Sequence, residues 1–471
     1  MANEKYDYGM IGLGTMGRNL AYNMNDHGYS VAGYDKTISQ VDMFKKESGS
    51  KMFATTELNT FLNALNSPKV ILMLVPAGEA VDNLIDELTP SLSANDILID
   101  CGNSHFSDTD SRIKKLVQSN IQFMGIGISG GEEGARKGPS IMPGGSKDSY
   151  AHISKMLDAI SAKVNGEPCT KWLGPGSAGH YVKMVHNGIE YGMMQLISEA
   201  YHLLKVVGGM SNDELHQTFL KWNKGVLHSF LIEITADIFS KKDDLTNNSL
   251  VDVILDNARQ NGTGGWTSED AMKLQVPIPV IDIAVTMRDL SSYKDQRVSA
   301  QQILGVAGNK PDIDKNALVM WLEQALCFSF IISYAQGMSL LHFASKEYKY
   351  DLNLEDIASI WRGGCIIRSS LLDDIRSVFS KQPDSSNFIT DESISRKLTH
   401  SQIEIRKVIQ IGVEAGIPIP GLMNALSYFD GLKSGWLPAN LVQAQRDYFG
   451  AHTYERIDRS GKFHTHWESN S

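Results

Sequence analysis

Tyr8-Gly9-Met10-Ile11-Gly12-Leu13-Gly14-Thr15-Met16-Gly17 decides the fold of the amino-terminal part of this chain. A short apolar run ends in a glycine-rich turn, residues 18–27 then have helical character, and Gly28 follows as a fitting C-cap. Strand, GxGxxG and helix, in that order, form a dinucleotide-binding fingerprint. Its glycines permit a tight turn and let a pyrophosphate approach the helix N-terminus. Gly12, Leu13, Gly14, Thr15, Met16 and Gly17 are therefore candidates for cofactor contact. A glycine-rich turn alone is a weak signal. It is strengthened by a second apolar run at 30–34 ending in Asp35, at the distance where a carboxylate meets the adenosine ribose.

Further strands are expected at 70–75 and 97–101, with an apolar run at 121–126, and helical stretches separate most of them. Such alternation predicts an α/β domain over residues 1–178, a Rossmann-like doubly wound parallel sheet. Its ligand crevice lies beyond the carboxyl ends of the strands, where Val75, Pro76, Ala77 and Asn103 fall. Pro76 reads equally well as plain turn chemistry.

A second stretch, Gly179-His180-Tyr181-Val182-Lys183-Met184-Val185-His186-Asn187-Gly188-Ile189-Glu190-Tyr191, carries the chemistry. Lys183, His186, Asn187, Glu190 and Tyr191 share one face of a helix. An ammonium, an imidazole, an amide, a carboxylate and a phenol are costly to bury unless each finds a partner, so this face should line a polar cavity. A solvated helix face is the bland alternative, and the His-Asn pair speaks against it. Lys183 and Glu190 suit proton transfer in both directions.

Composition narrows the class. At 471 residues the chain exceeds a single core. With 42% hydrophobic and 21% charged residues it reads as ordinary globular protein. A net charge of −10 argues against a nucleic-acid partner. Cys101, Cys169, Cys327 and Cys365 are too scattered for a metal site and are expected as reduced thiols, so no metal is expected. The polar start lacks the apolar core of a signal peptide, and no uninterrupted apolar run approaches the roughly 20 residues of a membrane span. A cytoplasmic protein without membrane contact is the expectation.

Ser129-Gly130-Gly131 forms another glycine-rich turn, able to offer a hydroxyl and backbone N–H groups to a carboxylate, though such trios are often only turns. Beyond Gly179 strand alternation gives way to an all-α region, expected over 179–443. Within it Trp222-Asn223-Lys224-Gly225 and Trp361-Arg362-Gly363-Gly364 look like distant copies, as a duplicated helical domain would produce. Polar breaks at 241–249, 309–315 and 382–393 read as loops. Residues 444–471 form an aromatic, His- and Arg-rich tail with little periodicity after Tyr454, expected to be frayed or packed on something else.

The helix face, the segment 125–145 around Ser129, and the tail stretch Gln445-Arg446-Asp447-Tyr448-Phe449-Gly450-Ala451-His452 together resemble the decarboxylating 6-phosphogluconate dehydrogenases, with matching motifs over nearly the whole chain. The resemblance implies oxidation of 6-phosphogluconate at C3 and loss of carbon dioxide to give ribulose 5-phosphate. It implies Lys183 as the base and Glu190 as the acid, with Ser129, Gly130 and Gly131 on the sugar acid. Asn103, His186 and Asn187 would orient hydroxyls. Tyr191, Thr263 and Arg288 would hold the phosphate, with arginine's forked donors suited to it. It further implies a homodimer with exchanged tails, in which Arg446 and His452 complete the neighbouring site.

Several residues depart from the family pattern. Asn261 and Gly265 stand where the family usually has lysine, and Met193 where it has aspartate. Losing the lysine at 261 removes a charge-assisted phosphate contact worth roughly 1.5–3 kcal/mol. The family default is NADP, but Asp35-Lys36-Thr37 replaces the usual Asn-Arg-Thr, and Pro76 replaces a lysine. A carboxylate at 35 suits a ribose diol, so NAD is also plausible. Alternatives are a dehydrogenase for another sugar acid and a non-enzymatic nucleotide-binding relative. Intact Lys183 and Glu190 oppose the second.

Overall fold

The computed structural model describes residues 5–49, 51–260, 262–305, 308–309 and 311–467. The chain divides into two compact units, Met1–Ala425 and Leu426–Ser471.

The first unit is built on a seven-stranded sheet of order β3-β2-β1-β4-β5-β6-β7. The strands are β1 (Tyr8–Ile11), β2 (Val31–Tyr34), β3 (Met52–Thr55), β4 (Val70–Met73), β5 (Ile97–Asp100), β6 (Gln122–Ser129) and β7 (Ser140–Gly144). All neighbours pair in parallel except β6 and β7. β1 lies between β2 and β4, so the strand order reverses at β1, where a doubly wound sheet opens its crevice. Both faces of β1, β2, β4 and β5 are buried, which explains their unbroken apolar runs.

Three details differ from the sequence expectation. The fingerprint helix starts at Thr15, before the expected 18, and ends at Asp26 with Gly28 at φ 93° behind it. β3 was not expected, because the stretch around Met52–Thr55 shows neither alternation nor a long apolar run. β7 runs antiparallel to β6, so the sheet is not wholly parallel. The link between them is shorter than the dozen or so residues that a parallel crossover needs, and the chain must turn back.

Two long helices dominate the remainder of this unit, Ala178–Val206 and Lys315–Tyr348. The second contains a window of mean hydropathy 1.5, long and apolar enough on those grounds to cross a membrane. Its middle is instead buried protein core that also encloses Ser329, Ser333 and Gln336. The two tryptophan turns meet: Phe230 N–H donates to Arg368 O at 3.1 Å and Ser370 N–H to His228 O at 3.0 Å. An antiparallel bridge between Ser229 and Ser369 lies at the same place.

Over residues 444–467 the tail is not frayed. After a helix at Ala439–Gly450, Tyr454–Glu455 and Lys462–Phe463 pair as an antiparallel hairpin. Fully enclosed Asp447 organises it, accepting from Thr453 N–H, Thr465 N–H and Trp467 Nε1–H at 2.8–3.0 Å and lying 2.9 Å from His464 Nδ1. These donors hold its carboxyl down at about 2.

Candidate active site

Glycines let the central helix Ala178–Val206 lie directly on the sheet. A Cβ on Gly127 of β6 would stand 2.3 Å from Lys183 Cβ, and one on Gly144 of β7 would stand 2.2 Å from Gly179 N. At these glycines the strands accept the helix with no strand side chain between them. Lys183 and His186 are thereby placed beside the carboxyl end of β6, where Ser129 lies.

The helix face comes together largely as its spacing implies. His186 Nδ1 is 3.0 Å from Asn187 Oδ1 and Nε2 is 3.2 Å from Ser129 Oγ. An amide oxygen only accepts, so Nδ1 carries the proton and the Ser129 hydroxyl donates to Nε2. Burial and the nearby Lys183 drive the His186 pKa well down, in keeping with a neutral ring. Asn187 Nδ2 donates to Thr263 Oγ1 at 3.2 Å, tying the face to the turn that opens the helix Thr263–Lys273. Gly262, at φ 91°, makes that turn. Asn261 lies outside the described residues.

Lys183 is almost fully enclosed, at 7% exposure. Burial lowers its pKa, against the opposing pull of Glu190. Burial raises that of Glu190, opposed by Lys183 and Arg288. Glu190 Oε2 stands 3.9 Å from His186 Nδ1. Desolvation therefore pushes both the Lys183 ammonium and the Glu190 carboxylate toward their neutral forms.

Tyr191 and Arg288 form a further pair, the guanidinium lying 3.4 Å from the ring centroid. Gly264 allows this, since a Cβ there would strike the Tyr191 ring at 2.4 Å. Met193 is wholly buried, so the departure at 193 supplies core contacts. Arg446 and His452 are exposed in the Leu426–Ser471 unit, where Arg446 Nη1 donates to Gln443 Oε1 at 3.1 Å.

A crevice of about 500 Å³ opens at the strand reversal, lined by Gly12, Gly14, Asp35, Lys36, Thr37 and Pro76 among others. Val75 also lines it, whereas Ala77 and exposed Asn103 stand outside its lining. Gly12 is at φ 90°, and a Cβ on Gly17 would fall 1.9 Å from Gly12 O. That bare turn is the cradle a pyrophosphate needs. Thr15 and Met16 begin the helix, with Thr15 exposed, while the Leu13 side chain is buried and only its backbone faces the turn.

Sequence reasoning missed the groups that brace this site. Buried Arg112 donates to Asp82 Oδ1 at 2.7 Å, Asp100 Oδ2 at 3.2 Å, Ser104 Oγ at 3.1 Å and Gly78 O at 3.1 Å, joining the loops after β4 and β5. His180 Nε2 lies 3.1 Å from Asp100 O and Nδ1 lies 2.7 Å from Thr109 Oγ1. Trp361 stands edge-on to His186, with centroids 5.7 Å apart. The tryptophan repeat was the visible signal for Trp361. A single arginine on an amphipathic helix gave none for Arg112. Among the described residues no group of three or more His, Cys, Asp or Glu is placed to hold a metal.

A dinucleotide crevice together with a largely buried helix face carrying a lysine and a glutamate defines a nicotinamide-dependent dehydrogenase. The chain belongs to the 6-phosphogluconate dehydrogenase family: the model of that family's NAD binding domain matches residues 7–174, and that of its C-terminal domain matches 179–467. It is 50% identical to the NADP(+)-dependent, decarboxylating 6-phosphogluconate dehydrogenase of Bacillus subtilis, over 98% of this chain and 99% of that one. The human decarboxylating enzyme is 48% identical over 98% and 96%. The Plasmodium falciparum 6-phosphogluconate dehydrogenase, solved in its apo form, with NADP+ and with 6-phosphogluconate, superposes with a TM-score of 0.94 at 42% identity, covering 98% of this chain and all of that one.

Proposed function

We propose that this chain oxidises 6-phosphogluconate with NADP+ and releases carbon dioxide, giving ribulose 5-phosphate. The observation that carries the reading is buried Lys183 with partly buried Glu190 on one helix face, whose pKa values desolvation moves in opposite directions. The cofactor, when bound, accepts hydride from C3. Lys183, shifted toward its neutral form by burial, takes the C3 hydroxyl proton. As an ammonium it then polarises the C3 ketone and stabilises the enediolate left by decarboxylation. Glu190, shifted toward its protonated form, delivers a proton to the former C2 of the enediol, which becomes C1 of ribulose 5-phosphate.

Ser129, Gly130 and Gly131 meet the carboxylate end of the substrate in this reading, and Asn103, His186 and Asn187 fix its hydroxyls. Tyr191, Thr263 and Arg288 take the phosphate, and Asn261 is a further substrate-binding candidate. The partner's Arg446 and the partner's His452 complete each site in a cytoplasmic homodimer. Residues 1–178 then act as the dinucleotide-binding part, 179–443 as the substrate and dimerisation part, and 444–471 as the exchanged tail.

The test is cofactor reduction on purified protein given 6-phosphogluconate and NADP+, with carbon dioxide measured alongside. Turnover with stoichiometric carbon dioxide is expected. Reduction without carbon dioxide, or turnover only with unphosphorylated acids, would overturn the reading.

A further inference from the structure

Asp35 and Lys36 are the only charged side chains among the described lining of the crevice at the strand reversal. The Asp35 carboxylate is fixed there, Oδ2 accepting the Leu13 N–H and Oδ1 the Thr37 N–H, both at 2.8 Å. Each oxygen retains a lone pair for a ribose hydroxyl, while the fixed charge opposes a phosphate at the same place. Lys36 is the cation that would answer a phosphate. Its ammonium donates instead to Glu87 Oε2 at 2.9 Å, a contact that raises the Lys36 pKa. Glu87 belongs to the helix Glu79–Leu88 and is not itself part of the crevice lining. Arg18 gives Nη1 to Leu13 O at 3.0 Å and to Gln40 Oε1 at 2.9 Å. Pro76, from the loop after β4, brings no charge.

We propose that Glu87 is a cofactor-discriminating residue: it withholds Lys36 from a 2′-phosphate, so that this chain uses NAD+ alongside NADP+. The proposal rests on the dehydrogenase reading above and concerns its cofactor end alone. NADP+ has to draw Lys36 away from Glu87 and bring its phosphate near two carboxylates. NAD+ presents a diol to Asp35 and leaves the ion pair closed. The side chains are 71% and 38% exposed, so the effect is modest and sensitive to salt.

Initial rates with 6-phosphogluconate give kcat/KM for each cofactor, and fluorescence titration with NADPH and NADH gives Kd without turnover. Glu87→Gln is expected to raise the NADP+/NAD+ ratio of kcat/KM, and the matching affinity ratio, by about two- to fivefold. In the Glu87→Gln background, Lys36→Met is expected to lower both ratios more than it does in the wild-type chain. Ratios unmoved by Glu87→Gln overturn the proposal. So does a Lys36→Met effect of equal size in both backgrounds, or a wild-type chain with neither NAD+ turnover nor NADH binding. Absent turnover with either cofactor, combined with a shifted affinity ratio, would remove the 6-phosphogluconate reading and leave the discrimination standing.

Discussion

In the proposed reaction Lys183 needs to be neutral to accept a proton and Glu190 protonated to donate one, and burial shifts both in that direction. The pH profile of kcat should therefore be bell-shaped. Activity falls on both sides of the optimum as the interacting Lys183–Glu190 pair leaves its neutral-lysine, protonated-glutamate state. A Lys183→Ala chain is expected to bind cofactor normally and lose about 10²–10⁴ in kcat. Residual turnover near wild type would exclude this lysine as the base. Gly127 is as exacting as either acid or base, because Gly127→Ala pushes a methyl into Lys183 Cβ. Its kcat should fall by about tenfold or more through displacement of the ammonium, with cofactor affinity retained.

At the scale of the element, the central helix also reaches beyond the chemistry. Glu199, buried on that helix, accepts Gly421 N–H at 2.7 Å and Leu422 N–H at 2.9 Å, so it caps the helix Pro420–Leu432. Burial raises its pKa from 4.5 to about 7. An acid raised in the folded state contributes full stability below pH 4.5 and loses it as pH rises through about 7. Glu199→Gln should flatten that slope in denaturant titrations across this window; an unchanged slope would assign it to other groups. This cap joins residues far apart in sequence and left no trace in the sequence pattern. The strand–GxGxxG–helix order and the Lys183-to-Tyr191 face were legible because each is a local periodicity. β7 was not, since its direction follows from the length of a link and from a glycine-bare face that only the packed helix explains. The Arg112 network was invisible for the same reason, its four acceptors lying at the end of β5, on the loop after it, on the loop after β4 and on the helix Glu79–Leu88.

At the scale of the molecule, the exchanged-tail homodimer can be tested by mixing. A Lys183→Ala chain and an Arg446→Ala chain, each nearly inactive alone, should recover roughly a quarter of wild-type activity after joint refolding with random pairing. No recovery would confine Arg446 to its own subunit or remove it from the site. Asp447 holds the tail unit together as a carboxylate, so that contribution is present above pH 3.8 and is lost as pH falls through about 2. Asp447→Ala is expected to leave residues 451–467 open to limited proteolysis while the larger unit stays resistant. The bare strands β6 and β7 have an implication for modularity. Nucleotide-binding sheets are often regarded as interchangeable parts, yet here the glycines that receive the central helix leave the sheet with nothing of its own to cover that surface. Severed at residue 178, the sheet would present naked peptide to water where a helix belongs. The dinucleotide-binding half of this enzyme is therefore not portable: to graft its cofactor specificity onto another scaffold, the catalytic helix must travel with it.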